Sequence, residues 1–181
     1  MVPSIPQEIK NGIIKEYLLI DCIAALIFKP DLGYDDKPNQ QEFLNRRNAS
    51  FMDLSSYEVG GYSLNGYKRF IFNSLNVEVD EYNSKITFEP TFYAINGDLG
   101  PFTHLVLVRG ALVAGADIEN GNNRGDPQGR VIAIKPVGGL RTLPRLENYP
   151  SIPEGSKGLL LPEQFEYKTT ITLYLDSTLL M

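Results

Sequence analysis

One histidine, His104, stands in a chain of 181 residues, and any Ser-His-Asp or Cys-His arrangement has to pass through it. It opens the most β-like run of the protein, His104-Leu105-Val106-Leu107-Val108. No nucleophile-elbow sequence accompanies it, and the single cysteine, Cys22, lies far away inside an apolar run. Cys22 therefore reads as a small core residue, and His104 as a structural histidine with satisfied hydrogen bonds. One cysteine also excludes an intrachain disulfide and a cysteine-based zinc site.

The carboxylates give no stronger signal. Asp35-Asp36, Asp80-Glu81 and Glu163 are the acidic groups from which a glycosidase pair would have to be drawn. No tryptophan is present to stack a sugar, so tyrosine would have to serve. Asp117, Glu119, Asn120, Asn122, Asn123 and Asp126 crowd one loop, and oxygen-rich loops bind calcium. Their spacing misplaces the glycine and closing glutamate of an EF-hand, so a solvated loop is expected. Gly60-Gly61 and Gly138-Gly139 lack phosphate-loop spacing. Arg124-Gly125-Asp126 spells an adhesion tripeptide and Asn48-Ala49-Ser50 a glycosylation sequon. Both need secretion to matter, and Met1-Val2-Pro3 opens no recognisable secretory signal. The expectation is a protein with no enzymatic activity, no cofactor and no metal.

Lys and Arg number 17 against 22 Asp and Glu, a formal charge of -5. No basic stripe is visible for phosphate contacts, so nucleic acid is not an expected partner. The longest apolar run, 23–28, is too short to cross a bilayer, which argues for a soluble chain made in a cytoplasm. Apolar residues are 43% of the total, enough for one core and one domain spanning 1–181.

The elements that would position these groups are mostly strands. Ser4 as cap, Pro6 in the first turn and Gln7 predict a helix within 1–19, with Ile5, Ile9, Ile13 and Tyr17 on one face. That face should pack on the body or on a neighbouring subunit. From Leu18 to Phe28 the run is apolar at both parities. Periodicity leaves helix or strand open over its first half and favours a strand over its second, ended by Lys29-Pro30. Residues 31–67 read as a long irregular stretch with a helical turn near 41–47, either a folded loop pinned by Tyr57, Tyr62 and Tyr67 or a contact surface.

Runs 67–72, 75–79 and 85–88 alternate and look like a meander. Ile86 and Phe88 end at Pro90, and a turn-rich bridge with Asn96-Gly97-Asp98 and Gly100-Pro101 leads to the 104–108 strand. Such a connection is long enough to cross between sheets. A short strand at 131–134 and a threonine-rich one at 165–175 complete the set. Between them 136–163 holds Pro136, Pro144, Pro150, Pro153 and Pro162, an extended surface arm with little regular structure.

The fold class expected is mainly β, an antiparallel β-sandwich, jelly-roll-like, with an N-terminal helix and long loop and arm insertions. Its predicted core is Leu26, Phe28, Phe70, Phe72, Val77, Ile86, Phe88, Leu105, Leu107, Ile132, Ile134, Ile171 and Leu173. A one-residue slip within a strand would reverse its faces.

Met1-Val2-Pro3, Ala25-Leu26-Ile27, Glu58-Val59-Gly60-Gly61-Tyr62, the run Thr103 to Val108 and Ile171-Thr172-Leu173 follow one another in an order that resembles small virion proteins of tailed bacteriophages. The loop 113–129 and the arm 136–163 are longer than in that pattern. The resemblance implies a non-enzymatic β-sandwich on the tail, neck or capsid exterior, in a virion assembled from parts made in the host cytoplasm. It implies assembly with other virion proteins, and the loop 113–129 and the arm 136–163 are expected to make a homo-oligomer or to bind a larger virion scaffold. The arm supplies the candidate interface: Leu140, Leu143, Leu146, Tyr149, Ile152, Leu159, Leu160 and Leu161. The alternative is that the arm folds back over a sheet edge. Ten tyrosines keep a carbohydrate-binding module as the alternative function, with a carboxylate or metal hydrolase third.

Overall fold

A computed structural model describes residues 6–19, 22–34, 38–45, 49–59, 69–72, 77–80, 85–94, 98–110, 129–143 and 166–174. Among the described residues the chain is mainly β, with several small antiparallel sheets, short helices and no closed sheet. The order is α1 (Gln7–Leu19), β1 (Ile23–Ile27), a 3₁₀ turn (Pro30–Leu32), α2 (Pro38–Leu44), α3 (Met52–Ser55), β2 (Phe70–Ile71), β3 (Val77–Asp80), β4 (Lys85–Phe88), β5 (Thr91–Tyr93), β6 (Leu99–Arg109), β7 (Arg130–Leu143), β8 (Glu166–Lys168) and β9 (Ile171–Tyr174).

The ambiguous apolar run of 18–28 resolves into both options: α1 continues through Leu19, and β1 follows. Every residue of β1 is buried, which explains its missing alternation. β1 lies inside a four-stranded sheet of order β2-β1-β6-β7, pairing Ile27 with His104 and Ile23 with Val108. Its even residues Ala24 and Leu26, with Cys22 just before the strand, enter one hydrophobic cluster with Leu105 and Leu107. Its odd residues Ile23, Ala25 and Ile27 enter a second with Val106 and Val108.

The first cluster is closed from the other side by β3, β4, β5, β8 and β9. Here the register is informative. Lys85 pairs with Tyr174, Phe88 with Ile171, Thr91 with Lys168 and Tyr93 with Glu166, so no residue is gained or lost between the two pairings. β4-β5 and β8-β9 are two lengths of one antiparallel ribbon. It is interrupted where Pro90 has no N–H to donate, though Pro90 still accepts from the Thr169 amide at 3.4 Å. The alternation expected to stop at Pro90 runs on, with Ile86, Phe88, Pro90, Phe92 and Ala94 all buried. Phe72 meets Phe88 edge-on at 5.1 Å and Tyr167 meets Phe102 at 5.1 Å, each contact joining the ribbon to the larger sheet. Such pairs contribute about 0.5–1.5 kcal/mol beyond their buried area. β5 belongs to the ribbon and β6 to the larger sheet, so the chain changes sheets within the bridge read between Pro90 and His104.

The second cluster is closed by the stretch expected to be irregular. Leu32, Phe43, Ala49, Phe51 and Leu54, from the 3₁₀ turn, α2, α3 and the loop between them, cover the outer face of β1 and β6. The described residues 31–34, 38–45 and 49–59 thus form a folded cover, while Tyr62 and Tyr67 lie outside the described residues.

Four expectations need correction. The meander is incomplete: β3 pairs with β4, but β2 pairs with β1 in the other sheet. Phe28 is 41% exposed, because it follows the last residue of β1 instead of continuing the strand. Ile132 and Ile134 do not share a face: a bulge at Ile132, between the Leu107–Ala133 and Val108–Val131 pairs, sends Ile132 to the first cluster and Ile134 to the second. Finally, the strand placed at 131–134 is β7, 14 residues long, and takes in 136–143 of the supposed arm. Pro136 is tolerated because β7 is an edge strand. Gly138 and Gly139, both at positive φ, absorb a register shift against β6. Gly100 sits at a register shift in the β6–β7 ladder: its φ is +125° and a Cβ there would lie 2.8 Å from the Arg141 carbonyl.

Candidate functional site

His104 lies at the seam between β6 and the start of the cover, fully buried. Its Nε2 is 2.6 Å from the Gly33 carbonyl and its Nδ1 2.8 Å from Thr103 Oγ1. A carbonyl only accepts, so Nε2 carries the hydrogen and the bare Nδ1 accepts from the threonine hydroxyl. Thr103 Oγ1 in turn accepts from the Lys29 amide at 2.9 Å. Loss of water around the ring pushes the imidazole below its ordinary range, against the raising effects of the Gly33 carbonyl and the Asp31 charge. The neutral ring is thereby fixed in one tautomer, with both nitrogens engaged by the protein.

The residues around it tie the cover down. Gln40 Nε2, from α2, reaches the carbonyls of Gly33 at 3.2 Å and Leu32 at 3.4 Å. Lys29 Nζ donates to Asp31 at 2.9 Å and lies 3.9 Å over the Tyr57 ring. Farther along β1, Arg69 and Glu58 form a two-pronged pair, Nε–Oε1 2.8 Å and Nη2–Oε2 2.7 Å, with side chains 3% and 7% exposed. The guanidinium stands 5.1 Å over the Phe51 ring. This pair fastens the 58–59 segment, bonded to β1 through Val59 N–Leu26 O, to the start of β2.

Cys22 is buried, and burial pushes its thiol up to about 12, where no thiolate is available as a nucleophile near neutral pH. Asp80 pairs with Lys85 at 3.4 Å across the β3–β4 ladder. Asp35, Asp36, Glu81, Glu163 and the oxygen-rich residues 117–126 lie outside the described residues. Among the described residues, no group of three or more His, Cys, Asp or Glu side chains could hold a metal. No described helix is long and apolar enough to cross a membrane.

Of the eight candidate interface residues, Leu140 is 61% exposed on β7, and Leu143, half-buried, packs against the first cluster. Leu146, Tyr149, Ile152, Leu159, Leu160 and Leu161 lie outside the described residues. Of the apolar face read on the N-terminal helix, Ile9, Ile13 and Tyr17 are 50%, 52% and 45% exposed, and Ile5 lies outside the described residues. α1 is anchored at its last turn, where Leu18 enters the first cluster. There Arg109 donates to the Tyr17 carbonyl at 2.6 Å and stacks on the Tyr17 ring at 3.7 Å.

Sequence reading located His104 but neither of its partners, and it missed the Glu58–Arg69 pair. Arg69 lies in the alternating run 67–72, and nothing in its spacing points to a glutamate in the irregular stretch. No family model, no curated protein and no solved structure matches this chain.

Proposed function

We propose that this chain is a structural protein of a tailed-phage virion, without enzymatic activity. It is built as a jelly-roll-like β-sandwich in which the four-stranded sheet faces the β4-β5/β8-β9 ribbon. It assembles with itself, as a homo-oligomer, and with other virion proteins on the tail, neck or capsid exterior. The virion assignment rests on the order of segments in the sequence, and the observation that supports assembly is the half-exposed apolar stripe of α1, Ile9 and Ile13. A 13-residue helix is marginal in water and draws its stability from packing an apolar face. This one leaves Ile9 and Ile13 half in solvent. The consumed valences of His104 and the raised Cys22 thiol support a structural role. Mass spectrometry of purified phage particles from the source genome tests it; particles without this chain would refute it. Light scattering of Ile13→Lys should report a smaller species than the wild type.

A second reading, a carbohydrate-binding module, is favoured by Phe28, Tyr34, Tyr57, Tyr93 and Tyr174, all substantially exposed. The Phe28 amide bonds the Tyr57 carbonyl, which sets two of these residues side by side at one end of the cover. A glycan array without a hit would remove that reading.

A further inference from the structure

We propose that the contact of His104 with residues 29–34 is an acid-sensitive latch that releases this segment from the sheet while β1, β6 and β7 stay folded. The Thr103 hydroxyl has one hydrogen, and in the neutral state it goes to His104 Nδ1 at 2.8 Å. When Nδ1 takes up a proton it becomes a donor, and Thr103 Oγ1, already accepting from the Lys29 amide, must accept it as well. The hydroxyl hydrogen then has to turn to the Ile27 carbonyl, 3.4 Å away and too far for a good O–H···O bond. Proton uptake therefore weakens the junction where the chain leaves β1 for the segment.

The surroundings do not offset this. The charged groups of the segment, Lys29 and Asp31, are paired with each other. α2 presents the uncharged amide of Gln40, β1 sets Ile27 opposite His104, and β7 sets Pro136 there. The Gly33 carbonyl and, through space, the Asp31 charge favour the charged ring, and loss of water outweighs both. Removing residues 29–34 is the smallest change that hydrates the ring, since Gly33 covers Nε2. The segment gives up little apolar burial on leaving, with Leu32 its buried hydrophobic residue.

Amide hydrogen exchange on the full chain tests this. The Lys29 amide is the reporter, and the Leu105 and Val106 amides in β6 are the reference. With intrinsic rates divided out, the opening constant at Lys29 should be flat above pH 7. It should then rise several-fold per pH unit below about 6.5, approaching the tenfold limit of a one-proton linkage. The β6 amides should keep their protection over the same range. The slope should survive Asp31→Asn and vanish in His104→Gln. Long-range ¹H–¹⁵N correlation should find the Nε2–H tautomer at neutral pH. The proposal is overturned by a pH-independent Lys29 opening constant, by a parallel rise at Leu105 and Val106, or by an Nδ1–H ring.

Discussion

The two faces of the β2-β1-β6-β7 sheet are both dry, but they are closed by different means. On one face strand meets strand: Leu26, Leu105 and Leu107 pack against Ile86, Phe88, Phe92 and Ile171. On the other face the same strands are covered by one 3₁₀ turn, two short helices and their loop. These elements are too short to hold their own shape. Polar contacts position them: His104 and Gln40 on Gly33, Thr103 on the Lys29 amide, and the Arg69–Glu58 pair beside Phe51. A ribbon paired by its own backbone can rely on burial alone. A cover made of turns needs side chains to fix where each turn sits.

That contrast sets the largest expected effects. Leu107 and Leu54 are both fully buried leucines, one between sheet and ribbon and one in the four-residue α3. Leu107→Ala leaves a hole between paired strands that cannot close, and should cost about 4–5 kcal/mol. Leu54→Ala lies under a cover that can settle, and should cost about 2–3 kcal/mol. Urea unfolding of the two variants measures the gap, and equal losses would show the cover to be as rigid as the ribbon. Glu58→Ala leaves the Arg69 guanidinium buried without its carboxylate and should cost about 3–5 kcal/mol. Replacing both residues with leucine and methionine should cost much less, because no buried charge then remains. A double variant as unstable as the single one would mean that the pair contributes more than mutual neutralisation.

The same contrast explains what the sequence makes legible. Strand–strand packing leaves a period of two, and Ile86, Phe88, Leu105, Leu107 and Ile171 were readable from it. β1 was readable as a strand once its doubly buried run was weighed against the turn at Lys29-Pro30. Phe43, Phe51 and Leu54 were not, because their burial follows from tertiary contacts of short turns and no local period marks them. Ile132 was misplaced by a single bulge, and the length of β7 was hidden by Pro136, which reads as a strand end unless the strand lies at an edge. His104 reads as structural in the sequence because no partner nucleophile is identifiable there. Its role in holding the cover depends on Gly33, 71 residues away.

A smaller effect addresses the seam itself. Thr103→Val keeps the shape of the side chain and removes both hydrogen bonds of the hydroxyl, leaving the Lys29 amide and His104 Nδ1 without that partner. Thermal unfolding should show a loss of about 1–3 kcal/mol. Exchange should quicken first at Lys29 and remain slow at Leu105. If both quicken together, the cover and the sheet open as one unit and the two faces are not independent.

The smallest effect separates the body from α1. Gly12 sits in the helix interior, its φ is not positive, and a Cβ built on it would meet nothing within 4 Å. Nothing within the described chain calls for glycine there, and Gly12→Ala should stabilise the protein by up to about 1 kcal/mol. Glycine at that position does have a use if another surface approaches the helix closely, because Gly12 precedes Ile13 at the border of the exposed stripe. The variant therefore gives two readings at once. Calorimetry at low concentration should show a higher Tm for Gly12→Ala, since the helix gains whether or not it is docked. Sedimentation at higher concentration should show weaker association, since the added methyl group holds a partner away. A more stable protein that associates as the wild type does would place the contact elsewhere, with Leu140 on the exposed edge strand β7 the next residue to vary.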